Sequence, residues 1–142
     1  MIDDCFGTQK EVCILYLDMN NLKIINDRFG HNEGDESIKN VGNILTDVFS
    51  GRSVVARIGG DEFGVACLIN RGQTADDIIH KVYDAFNEYN DNSDKAYLLT
   101  VAAGAYVIKQ TDEISLDEAL TQADENLYKE KKIRSKNVLK MN

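Results

Sequence analysis

The chain has 142 residues, of which 43% are hydrophobic, 28% charged and 8% aromatic, and its formal net charge is -8. At about 150 residues per domain this is one unit with enough apolar side chain to bury a core, which excludes a second full domain and disorder throughout. No stretch approaches the roughly 18 consecutive apolar residues of a membrane span, Met1-Ile2-Asp3-Asp4 lacks the features of a signal peptide, and the acidic balance argues against nucleic-acid or anionic-lipid partners, so a cytoplasmic protein is expected.

In chain order, Val12-Cys13-Ile14-Leu15-Tyr16-Leu17 is an apolar run that suits a central strand and leaves Asp18 at its carboxyl end. Leu22, Ile25 and Phe29 stand at helical spacing before a stop at Gly30, and Ile38, Val41, Leu45 and Val48 mark a longer helix drawn over 35–49. Two runs, 54–58 and 63–69, flank Gly59-Gly60-Asp61-Glu62, the pattern of a hairpin whose tip needs glycine dihedrals. Thr74-x-x-Asp77 caps a helix over about 75–90, a polar loop runs from Asn90 to Asp94, and the long apolar run 96–108 predicts a strand. Ser115-x-x-Glu118 caps a last helix bearing Leu116, Ala119, Leu120, Ala123 and Leu127, and Val138-Leu139 is a candidate short edge strand. There is no proline and no linker composition. The element order predicts an α+β fold with a mainly antiparallel sheet of about five strands and helices on its faces.

Three carboxylates stand where folds expose chemistry: Asp18 at a strand end, Asp61 and Glu62 at a hairpin tip. If the hairpin pairs beside the first strand they converge, and a cluster of mutually repelling carboxylates persists only with a cation, which oxygen-only ligation makes Mg²⁺ or Mn²⁺. Taken alone, Gly-Gly-Asp-Glu is more often an ordinary polar turn. Lys129, Lys131, Lys132, Arg134, Lys136 and Lys140 lie near the C-terminus beside Glu130 alone, a basic stretch suited to a small polyanion. Cys5, Cys13 and Cys67 form no Cys-x-x-Cys pair and read as reduced, buried thiols. His31 and His80 lack metal-ligand spacing, and Leu22 at the third ligand position of Asp18-x-Asn20 argues against a calcium loop.

The string Asp18-Met19-Asn20-Asn21-Leu22-Lys23-Ile24-Ile25-Asn26-Asp27-Arg28-Phe29-Gly30-His31-Asn32-Glu33-Gly34-Asp35, followed by Arg57-Ile58-Gly59-Gly60-Asp61-Glu62-Phe63, resembles the GGDEF domain of diguanylate cyclases. The family's Asp-x-Asp-x-Phe-Lys-x-x-Asn-Asp-x-x-Gly-His-x-x-Gly-Asp opening is matched except at Asn20 and Leu22, and Ala123-Asp124-Glu125-Asn126-Leu127-Tyr128-Lys129-Glu130-Lys131 looks like its Ala-Asp-x-x-Leu-Tyr-x-x-Lys ending.

The resemblance implies a single domain over 1–142 with a nucleotide-cyclase-like, ferredoxin-like palm, which joins two GTP into cyclic dimeric GMP and releases pyrophosphate across a transient homodimer. It implies Asp18 and Asp61 as ligands of Mg²⁺ or Mn²⁺ with the Met19 carbonyl assisting, and Glu62 as a further ligand or as the acidic partner in activating the 3′-hydroxyl. Asn26 and Asp35 are the implied guanine contacts; from the residues alone Asn26 is more often a helix-surface residue and Asp35 is equally an N-cap. Backbone N–H groups of Asn20, Asn21, Leu22 and Lys23, at a helix start, and the Lys131 side chain are the implied triphosphate contacts. Arg57 either orients the carboxylates or covers the strand. Fused or associated sensory domains are implied as partners.

Several positions depart from the family. The arginine expected four residues after Lys131 is Ser135, leaving Arg134 or Lys136 to substitute; Ala103 stands where the family has serine; and Ser50 and Ser53 replace the Arg-x-x-Asp that binds product, so no inhibitory product site is expected. The usual N-terminal turn and helix have no counterpart before Val12. These departures keep open an alternative, a catalytically silent module that binds GTP and regulates a partner.

Overall fold

The computed structural model describes residues 11–109 and 111–141, those from 132 to 141 by their backbone only. Its elements are β1 (Glu11–Met19), α1 (Leu22–Phe29), α2 (His31–Val48), β2 (Ser53–Arg57), β3 (Glu62–Ile69), α3 (Ala75–Asn92), β4 (Val101–Ile108) and α4 (Leu116–Met141). The sheet has the order β2-β3-β1-β4, and every neighbouring pair is antiparallel. Both helical crossovers skip a strand: α1 and α2 carry the chain from β1 past β3 to β2, and α3 carries it from β3 past β1 to β4. This is the ferredoxin-like arrangement, with Asp18 on one of the two central strands.

The two-residue strand period divides β1 between two cores. Cys13, Leu15, Leu17 and Met19 join Val41 and Leu45 of α2 and Ile78, Val82 and Phe86 of α3 on one face. Val12, Ile14 and the half-buried Tyr16 meet Ala119 and Ala123 of α4 on the other. A strand covered on both sides reads as an unbroken apolar run, which is why β1 is conspicuous in sequence. Cys13 and Cys67 face one another across β1 and β3 as free, buried thiols, and the hydrogen bond with Cys67, followed by burial, pushes the Cys13 thiol up; Cys5 lies outside the described residues.

The expected capping box is present: Asp77 N–H donates to Thr74 Oγ1 at 3.1 Å and Thr74 N–H to Asp77 Oδ2 at 2.9 Å. Ser115 Oγ likewise accepts from Glu118 N–H at 3.1 Å. Other expectations are corrected. Among the described residues the sheet has four strands, not about five, because α4 continues as helix through Val138 and Leu139, with no glycine or proline after Leu116 to end it. The strand expected over 96–108 begins at Val101, the partner of Met19; beyond that pair the chain of β1 turns away at Asn21, whose φ is 64°, and residues 96–100 have no strand to join. α2 starts at His31 rather than near 35: Gly30, at φ 93°, ends α1 and starts α2 at once, so Asp35 lies inside the helix and is not its N-cap. At the hairpin tip neither Gly59 nor Gly60 takes positive φ. The missing side chain of Gly59 instead leaves room for Glu62, whose Oε1 would lie 3.1 Å from a Cβ there.

Candidate active site

Asp18 ends β1 on the face covered by α4, in register with Glu62 on β3 and Ala102 on β4. The tip of the β2–β3 hairpin folds beside it, tied by Met19 N–H to the Asp61 carbonyl at 2.8 Å. Arg57 fixes that tip from outside: its Nε donates to Gly59 O at 3.0 Å and its Nη2 to Gly60 O at 2.8 Å. It thereby holds the backbone that carries Asp61.

The electrostatics of the pair call for a cation. Burial pushes the Asp61 carboxyl above its ordinary value, and the adjoining Asp18 charge and the hydrogen bond to Asp18 push it further. Lys131 of α4 supplies positive charge, with Nζ 2.7 Å from Asp18 Oδ2. Asp18 Oδ1 is buried and has no hydrogen-bond partner among the described residues. An acceptor oxygen held out of water without a donor is costly unless a ligand satisfies it. Two adjacent carboxylates, one with an unsatisfied oxygen, fit a hard divalent cation.

Glu62 is not in that pair. Its carboxylate accepts a hydrogen bond from the Tyr16 hydroxyl, two residues before Asp18 on the same face of β1. Among the described residues, no group of three carboxylate, histidine or cysteine side chains gathers as a metal cage. Met19 buries its side chain in the core and offers the site only its backbone.

α1 begins at Leu22 with no side-chain cap from Asn21. The first-turn N–H groups of a helix have no acceptor inside it, so the backbone at Asn21, Leu22 and Lys23 presents donors toward the end of β1. Asn20 is engaged elsewhere: its N–H donates to Thr100 O at 3.0 Å and its Nδ2 to Thr100 Oγ1 at 3.1 Å. Asn26, half-buried on α1, lies against α2, where a Cβ on Gly34 would fall 1.7 Å from its Oδ1. Asp35 is the next residue and is exposed, so both implied base contacts meet at the α1–α2 corner. His31 is exposed at the start of α2, and His80 is exposed on α3. The side chains of Arg134, Ser135 and Lys136 lie outside the described residues, as do residues 1–10.

Sequence reasoning missed Tyr16, which looks like one more apolar strand residue, and the segment 93–100, which looks like the end of a polar loop followed by the start of a strand. Register supplies a signal for the first: Tyr16 pairs with Gly64 on one side and Gly104 on the other, so its ring has no side chain beside it in either neighbouring strand.

The description "Diguanylate cyclase, GGDEF domain" matches residues 2–137. Diguanylate cyclase DgcP of Escherichia coli is 32% identical over 127 residues, covering 89% of this chain and 37% of the relative, and the probable diguanylate cyclase DgcC of the same species is 30% identical over 131 residues, covering 92% and 35%. The chain thus spans little more than a third of these curated relatives. Among solved structures, the GGDEF domain of DgcB from Caulobacter crescentus in complex with c-di-GMP superposes with a TM-score of 0.73 at 25% identity, covering 87% of this chain and 73% of that one. The GGEEF domain of a diguanylate cyclase from Vibrio cholerae has the same fold, with a TM-score of 0.70 at 22% identity over 86% of this chain and 77% of that one. With the carboxylates at the β1 end and the hairpin tip, the ferredoxin-like sheet and a match over nearly its whole length, the chain belongs to the GGDEF domain family of diguanylate cyclases.

Proposed function

We propose that the domain condenses two molecules of GTP into cyclic di-GMP, each member of a transient homodimer presenting one nucleotide. In each half-reaction the 3′-oxygen of one GTP attacks the α-phosphorus of the other, a phosphodiester bond forms and pyrophosphate leaves. The observation that supports this most is the adjoining Asp18–Asp61 pair with its unsatisfied, buried Asp18 Oδ1. Those two carboxylates and the Met19 carbonyl would hold Mg²⁺ or Mn²⁺. When bound, the metal supplies Lewis-acid polarisation of the α-phosphate, lowers the pKa of the attacking hydroxyl and neutralises the leaving pyrophosphate.

The protein's own groups bind, orient and move protons. Lys131 leaves Asp18 for the triphosphate, exchanging one anionic partner for another. The N–H groups at Asn21, Leu22 and Lys23 receive the β- and γ-phosphates at the start of α1. The Asp35 carboxylate accepts from the N1–H and 2-amino group of guanine, and the Asn26 amide completes that edge; adenine presents the opposite donor pattern. Glu62 serves as a further ligand or as acceptor of the 3′-hydroxyl proton, with Tyr16 fixing one of its oxygens. Ser50 and Ser53 offer no guanidinium–carboxylate pair for product, and the Ser53 hydroxyl donates to Phe49 O. No helix among the described residues is long and apolar enough to cross a membrane.

Concentrated protein, dimerised by a fused zipper, is expected to convert GTP to cyclic di-GMP in Mg²⁺; GTP binding without product would identify the silent regulatory module, and binding of neither kind would refute the reading. A second expectation concerns Gly34→Ala. The new methyl displaces Asn26 from α2 and weakens GTP binding about tenfold by calorimetry, the cost of a lost polar contact. Its stability is expected to hold or rise, since alanine gains about 1 kcal/mol over glycine inside a helix.

A further inference from the structure

Between the end of α3 and the start of β4, the segment 93–100 has no strand partner, yet it is tied at short intervals. Lys95 N–H donates to Ser93 Oγ at 3.1 Å, and the Asn90 side chain pairs with both backbone groups of the buried Leu99, each at 2.9 Å. Thr100 holds Asn20 through backbone and side chain.

Two side chains of this segment, Lys95 and Tyr97, reach one place. Lys95 Nζ lies 2.8 Å from Glu33 Oε1 and 3.1 Å from Glu36 Oε2. The Tyr97 hydroxyl donates to the same Glu33 oxygen at 2.8 Å, while its ring rests on Phe29 with centroids 5.3 Å apart. Phe29 is the last residue of α1, and Glu33 and Glu36 lie in the first two turns of α2 on either side of Gly34 and Asp35. The hydrogen bonds from Lys95 and then Tyr97 hold the Glu33 carboxyl below its ordinary value.

Two physical consequences follow. Glu33, Asp35 and Glu36 place three negative charges within four residues, where a nucleoside triphosphate is to approach, and Lys95, in contact with two of them, offsets one charge. The glycine junction between α1 and α2 has no side chain to stiffen it. Tyr97 is in contact with both helices, with α1 through Phe29 and with α2 through Glu33, so it bridges the junction from outside.

We propose that the segment 93–100 is a positioning strap for the nucleotide, in which Tyr97 and Lys95 hold the α1–α2 corner in the geometry that lets Asn26 and Asp35 select guanine. The inference rests on the reading of GTP as substrate. Neither side chain touches the base; both are positioning residues that act through Glu33 and Phe29.

The test uses Tyr97→Phe, which keeps the ring contact and removes one hydroxyl, and Lys95→Met, which removes the charge. For each, Kd for GTP and for inosine triphosphate, which lacks the 2-amino group, is measured by calorimetry in Mg²⁺, together with KM and kcat. A lost hydrogen bond to a charged group predicts GTP binding weaker by roughly three- to tenfold. The preference for GTP over the inosine analogue falls with it, and kcat stays within about twofold. A purely structural strap lowers the melting temperature and leaves that preference unchanged, which would overturn the proposal while leaving GTP as substrate. If the unaltered protein binds neither nucleotide, the functional reading fails and the strap proposal with it.

Discussion

Asp61→Asn is expected to cut cyclic di-GMP formation by roughly a thousandfold or more and, at the same time, to make the metal-free protein more stable. The first effect follows from removing half of the carboxylate pair that would hold the cation, because metal polarisation supplies several kcal/mol of barrier lowering in phosphoryl transfer. The second follows from the sign of the Asp61 shift. Burial and the adjoining Asp18 raise its carboxyl above the ordinary 3.8, so the native state binds that proton more tightly than the unfolded chain does. Stability therefore falls as pH rises through the window between 3.8 and the raised value, and above it the ionised group is a standing cost. Thermal melts from acidic to neutral pH check this: the unaltered protein loses melting temperature across that window, while Asp61→Asn shows a flatter profile and melts higher near neutrality. Lower stability for Asp61→Asn at neutral pH would contradict this electrostatic account of the pair.

Gly104→Ala is expected to have the largest effect on folding. A Cβ on Gly104 would stand 2.2 Å from the backbone N of Leu127, 2.3 Å from the carbonyl oxygen of Ala123 and 2.6 Å from Leu127 Cα. No rotamer change relieves a clash with helix backbone, so α4 must lift from the sheet. That separates Ala119 and Ala123 from Val12, Ile14 and Ile108 and opens the second core. Overpacking of this kind costs about 3 kcal/mol or more, a loss of roughly 10 °C in melting temperature. The same displacement draws Lys131 from Asp18, so the surviving folded protein should bind GTP poorly. Gly60→Ala is the matched control: it has free space and no positive φ, and its melting temperature should move little.

The contrast between these glycines shows what the sequence makes legible. Local chemistry is legible because its causes are a few residues apart. Thr74 with Asp77 and Ser115 with Glu118 cap the helices they were expected to cap, and the apolar runs on either side of Gly59-Gly60-Asp61-Glu62 form the expected hairpin. Asp18 and Asp61 were candidates on their own positions, a strand end and a turn.

The missed features depend on partners distant in sequence. Residues 96–100 carry the apolar composition of a strand, yet their neighbour β1 has already turned away, so Leu99 packs into the core with its backbone groups held by Asn90, the Thr100 carbonyl accepts from Asn20, and Leu98 stays exposed. Gly59 and Gly60 suggested special dihedrals, whereas Gly59 makes room for Glu62. That Lys131 reaches Asp18 across 113 positions, and that Glu62 turns to Tyr16 across 46, depends on how α4 and β3 pack against β1. The proline-free C-terminal stretch contains two apolar residues suited to a strand, but a helix already under way continues more readily than a new strand nucleates.

The central claim is that Asp18 and Asp61 together grip a divalent cation beside a guanosine triphosphate. Crystals grown with Mg²⁺ and a non-reactive GTP analogue test it most directly. The account predicts metal within about 2.1 Å of an oxygen from each carboxylate, Asp18 Oδ1 among them, with Lys131 transferred to the phosphates. A nucleotide bound elsewhere, with Lys131 still on Asp18 and no metal between the two carboxylates, would contradict it.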